Sequence, residues 1–222
     1  MTSHPPSLSA FTPAERRLIA RLRTPDRVQR FLNRLPYNTE RRGDTFRGFR
    51  QVARRRTAHC AEAVLFAAAI LELHGHPPLV LSIESADGLD HVIYVYRRGG
   101  RWGSVARSRD PGLHGRKPAF RSLRALVMSY FDAYVDATGS IEGYAFFDLR
   151  DLRGIDWRFS ARNLWALERV LIRLPHRRIP SSRQRVQRLR AAYLAYRAAH
   201  DGKKPLFYKG RAKWTEIPEG FL

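Results

Sequence analysis

Thr57-Ala58-His59-Cys60-Ala61-Glu62-Ala63-Val64-Leu65-Phe66-Ala67-Ala68-Ala69-Ile70-Leu71-Glu72-Leu73-His74-Gly75 is the stretch on which the fold turns. Apolar residues cover most of a helical circumference from Ala58 to His74, so this segment predicts a helix buried on most sides, with Gly75 as its C-terminal cap. Thr57 is the expected N-cap, which sets Cys60 at the third position of the first turn. A thiol placed there meets the positive end of the helix dipole and unpaired backbone amides, which favour its anion and can receive an oxyanion. A lone cysteine is ordinarily inert packing. Its place at a helix start is what makes Cys60 a candidate nucleophile.

Downstream, Pro77-Pro78 forces an extended chain into Leu79–Ile83, a buried strand, and His91–Tyr96 reads as a second. A Gly99-Gly100 turn leads into a third strand from Trp102 to Ser108. A helix followed by antiparallel strands gives the α+β class. His91 stands at the mouth of its strand, on one face with Ile93 and Val95 by strand parity. A base at a strand edge can face a helix tip packed on the sheet, the arrangement that a thiolate–imidazolium pair needs. A two-residue glycine loop would pair His91 with Ser108 and set Asp110 diagonally on the same face. A three-residue loop would bring Arg107 or Arg109 opposite instead. Asp110 is therefore the candidate for orienting His91, with Ser108 as the alternative, although an Asp before Pro111 also suits an ordinary turn.

These residues resemble the core of the transglutaminase-like (papain-like) superfamily. The similarity lies in Thr57-Ala58-His59-Cys60-Ala61-Glu62, the apolar helix ending in Gly75, the Pro77-Pro78 entry to a strand, and Asp90-His91-Val92-Ile93-Tyr94-Val95-Tyr96 followed by a glycine turn and Trp102. It covers about residues 45–115. The resemblance implies a nucleophile helix packed on an antiparallel sheet, with additional N- and C-terminal helices here. It also implies a nucleophilic Cys60, a general base His91, and acyl chemistry on amide or peptide bonds of a protein or peptide-like substrate. Ala106 stands where that family usually carries its acid, which leaves Asp110, Ser108 or no residue at all for the third role.

Around this core the chain of 222 residues divides, on texture, into residues 1–155 and a basic helical extension 156–222. Thr12-Pro13-Ala14-Glu15 and Thr24-Pro25-Asp26 announce two short helices. Ser122–Tyr134 and Asn163–Leu174 read as further helices, Gly143–Leu149 as a strand and Ser181–His200 as a long basic helix. Gln51 is a weak candidate oxyanion donor. His59, His74, His76 and His91 share no metal-ligand spacing and the chain has one cysteine, so no metal or cofactor is expected.

The formal net charge is +21, and 36 of the 41 basic residues are arginine. That balance suits a polyanionic partner, nucleic acid or an acidic protein, and equally an arginine-rich solvated surface. A non-catalytic protein of this fold that binds such a partner is the competing reading. Phe207, Tyr208 and Trp214 near Lys203, Lys204, Lys209 and Lys213 are too few for a stacking surface. No apolar run reaches membrane-spanning length, the first ten residues lack a leader's pattern, and a single cysteine suits a reducing, cytoplasmic setting.

Overall fold

The computed structural model describes residues 4–205, so Phe207, Tyr208, Lys209, Lys213 and Trp214 lie outside the described residues. Two capped helices open it, α1 (Pro13–Arg21) and α2 (Pro25–Asn33). At α1 the Thr12 hydroxyl accepts from the Glu15 amide at 3.2 Å, and the Glu15 carboxylate accepts from the Thr12 amide at 2.8 Å. Helices α3 (Phe49–Arg55) and α4 (Cys60–Leu71) follow; a 3-10 turn, Glu72–His74, then ends at Gly75 with φ 81°. Every residue of α4 from Ala61 to Leu71 is buried.

The N-cap of α4 is His59, not Thr57, so Cys60 is the first helical residue rather than the third. Thr57 cannot cap because its hydroxyl and carbonyl both accept from the Arg47 guanidinium. Glu62 reaches back to the His59 amide at 3.1 Å and sets the helix start there.

One antiparallel sheet of six strands lies across α4. Its strands are β1 (Leu79–Ser85), β2 (His91–Arg98), β3 (Arg101–Val105), β4 (Arg116–Phe120), β5 (Ile141–Asp148) and β6 (Arg177–Arg178), in the order β4-β3-β2-β1-β5-β6. Gly99 and Gly100 form the expected two-residue loop, both at positive φ (56° and 72°), and pair Arg98 with Arg101 and Tyr94 with Val105. The pairing stops at Val105, short of the expected end at Ser108, because Gln29 takes over the edge. Its side-chain amide donates to the Ala106 carbonyl at 2.8 Å and its oxygen accepts from the Ala106 amide at 2.9 Å. Ser108 therefore does not pair with His91.

Strand parity divides the apolar residues between two cores. Val80, Val92, Tyr94 and Tyr96 face α1–α4 and α7 (Trp165–Ile172). Leu81, Ile83, Ile93 and Val95 face α5 (Leu123–Met128), α6 (Phe131–Tyr134) and the apolar side of α8 (Arg183–Ala199). The helix expected over Ser122–Tyr134 is split into α5 and α6, where the Ser129 hydroxyl bonds back to the Leu126 carbonyl at 2.6 Å. Residues after the expected boundary join the same cores: Trp157, Leu164 and Leu167 the first, Ile179 the second, while β6 extends the sheet. No helix among the described residues is long and apolar enough to cross a membrane.

Candidate active site

A buried ion pair builds the tip of α4. The Glu62 carboxylate, fully inaccessible, receives the Arg47 guanidinium through Nε at 2.6 Å and Nη2 at 2.7 Å. It also accepts from the Thr45 hydroxyl at 2.9 Å and the Asn38 amide at 3.1 Å. Burial alone would raise this carboxyl's pKa; the Arg47 bonds and the neighbouring positive charges reverse that and hold it lowered and ionised. Tyr37 is tied in by a backbone bridge to Ala58. The start of the helix is thus fixed in position and direction, and Cys60 is its one residue that is not buried. It opens onto a cavity of about 260 Å³.

His91, on the first residue of β2, lines the same cavity and is buried. Its Nε2 lies 2.9 Å from the Leu113 carbonyl oxygen. A carbonyl only accepts, so Nε2 bears a proton, and Nδ1 is the nitrogen that can exchange one with the thiol. Arg116, fully buried against the Tyr130 ring, donates to the carbonyls on either side of Leu113: to Gly112 at 2.7 Å and His114 at 2.8 Å. Arg107 donates to the Ser108 carbonyl at 2.7 Å and the Leu35 carbonyl at 3.0 Å, anchoring the start of the same loop. The two arginines hold the loop that holds His91.

The sulfur meets two imidazoles. Burial pushes the Cys60 thiol up, but hydrogen bonds and charge from His59 and His91 outweigh it and bring the pKa down to about 5. Burial pushes His59 down, and the Cys60 sulfur, the charge of Glu62 and the Thr45 carbonyl bring it up to about 9. Its Nε2 is 2.9 Å from that carbonyl, 3.5 Å from Glu62 and 3.7 Å from Glu40. His114 behaves oppositely: burial and the cation of Arg107 lower it to about 3, so it stays neutral beside them. Tyr37 also lines the cavity; burial, then the sulfur's charge, raise its phenol and keep it protonated.

Cys60, His91, Asp110 and Ser108 are therefore brought to one cavity. Asp110 is not the partner of His91. Its carboxylate pairs with Lys204 and lies 3.9 Å from Arg109, and the backbone carbonyl of Leu113 takes the position foreseen for an acid. Gln51 is elsewhere, donating to the Ala161 carbonyl at 2.8 Å. Sequence reasoning missed His59, Tyr37 and the Leu113 carbonyl. Glu62, three residues after His59, was a usable sign of the true cap; a backbone carbonyl leaves no sign at all. Among the described residues no group of three or more His, Cys, Asp or Glu could hold a metal ion. The sequence matches no protein-family model and no curated protein.

Proposed function

We propose that this protein is a transglutaminase-like thiol hydrolase or acyltransferase acting on an amide or peptide bond. The observation that carries the reading is the thiol of Cys60, the one accessible residue of a buried helix, facing an imidazole whose far nitrogen is locked by the Leu113 carbonyl.

The thiol proton passes to His91, leaving a sulfur anion that attacks the substrate carbonyl carbon. The amide of Cys60, which as the first residue of α4 has no acceptor within the helix, would receive the oxyanion, and the protonated phenol of Tyr37 is a further donor on the cavity wall. His91 then returns its proton to the departing amine as the C–N bond breaks, and a thioester remains on Cys60. Neutral His91 next takes a proton from water, or from an acceptor amine, which attacks the thioester and releases the sulfur. His59 stays cationic beside the anion throughout, so the charge of the sulfur does not depend on His91 alone. No cofactor is required by these steps, and an unpaired reactive thiol suits a reducing, cytoplasmic setting.

Incubation with 4-nitrophenyl acetate tests the reading through intact mass and released nitrophenolate. Wild type should gain one acetyl group at Cys60 and lose it again with time; Cys60→Ser should not acylate, and His91→Asn should acylate and deacylate far more slowly. Acetylation elsewhere only, or equal nitrophenolate release by all three, would rule the mechanism out.

A further inference from the structure

A second surface, distinct from the thiol cavity, draws half of its lining residues from arginine. Two cavities of about 770 and 350 Å³ adjoin on the outer side of α1–α3 and share Arg21 and Arg56. The larger adds Arg17, Arg50 and Arg54. The smaller adds Arg27, Arg30 and Arg34. The one carboxylate lining either of them is Glu15, which is buried and already bonded to Arg50 at 2.8 Å. Cations crowded like this repel one another, so the groove lowers its energy by taking a polyanion.

The chemistry of the groove narrows the choice. Eight guanidiniums and no lysine line it, and planar guanidinium forks match phosphate oxygens two at a time. The aromatic ring in the groove, Phe31, is not free to stack on a base. One face stacks on Phe66 at 5.2 Å, and Arg56 and Arg21 lie over the ring at 4.6 and 5.7 Å. Contacts would therefore go to a phosphate backbone and not to bases, so binding would be independent of sequence and steeply dependent on salt.

We infer that the α1–α3 groove is a phosphate-backbone site that binds nucleic acid. The reading is independent of the proposed thiol chemistry: the groove shares no lining residue with the Cys60 cavity.

Fluorescence anisotropy of the full chain with a labelled DNA duplex of about 20 base pairs, from roughly 50 to 200 mM salt, tests it. Binding should weaken linearly in log–log coordinates with a slope of several phosphates. Arg21→Glu/Arg30→Glu/Arg54→Glu should bind at least about tenfold more weakly with a shallower slope. Arg124→Glu/Arg183→Glu/Arg188→Glu, exposed residues of α5 and α8 across the sheet, removes the same net charge and should lose far less. If the first triplet unfolds, Arg30→Glu alone should lower the slope by about one. Equal losses in both triplets would mean that net charge, not the groove, does the binding. No duplex binding, or displacement of the duplex by polyglutamate at equal charge, would likewise overturn the assignment.

Discussion

Nε2 of His91 lies 2.9 Å from the carbonyl oxygen of Leu113, and both residues are buried. A backbone carbonyl cannot be titrated or mutated away, so the orientation of this imidazole is set by where the 108–114 loop runs. The acid that the sequence led one to seek at Asp110 is engaged with Lys204 instead. Asp110→Asn should therefore change kcat by less than about threefold, since removal of an orienting acid costs far more, about 10⁴-fold in a serine triad. Steady-state hydrolysis of 4-nitrophenyl acetate checks it, and a loss approaching the triad value would return Asp110 to the mechanism.

His59 and His91 should separate by assay. His91→Asn removes the group that moves protons and should lower turnover about 10²–10⁴-fold. His59→Asn removes a positive neighbour of the sulfur, which makes the thiol harder to ionise. It should move the midpoint of Cys60 alkylation upward by about one pH unit while turnover at pH 9 falls less than tenfold. Indistinguishable pH profiles in the two variants would show that the imidazoles have no separate roles.

Tyr37→Phe keeps the ring and removes the donor. Loss of one oxyanion donor costs about 10²–10³-fold in kcat elsewhere, and a phenol at the cavity wall should approach the lower figure with KM nearly unchanged. A rise in KM alone would make Tyr37 a substrate contact and not a transition-state one.

Arg47→Met strips the buried Glu62 carboxylate of its cation. Breaking one partner of a buried pair costs about 3–5 kcal/mol, or roughly 10 °C in Tm for a chain of this size. Glu62 has a folded-state pKa below its unfolded value, so the pair's contribution is present at neutral pH and is lost as acid protonates the carboxylate. The gap in Tm between wild type and variant should therefore close on acidification. A gap that stays constant with pH would mean that lost packing, not charge, is responsible.

Much of this fold was legible because it rests on local signals. Thr12 with Glu15, Gly99-Gly100 and the unbroken apolar run of α4 each carry their own geometry. That Cys60 and His91, the proposed nucleophile and base, share one cavity was legible for the same reason, a helix start and a strand start that packing brings together. What escaped depends on contacts between distant segments. Gln29 ends β3 from 77 residues away, and Arg47 removes Thr57 as a cap. Arg116 aims the loop that offers the Leu113 carbonyl, a group that every residue owns and none advertises. Strand β4 was missed because its partly exposed, proline-containing run Arg116–Phe120 has little apolar alternation.

The Cys60 thiol should be an anion at neutral pH, and the pH dependence of its alkylation by iodoacetamide, followed by intact mass, measures this directly. Only the thiolate reacts, so the rate should fall as the pH drops through about 5 and be level from pH 6 to 8. A rate that instead keeps climbing through pH 8, with a midpoint near the ordinary thiol value of about 8.5, would contradict the account.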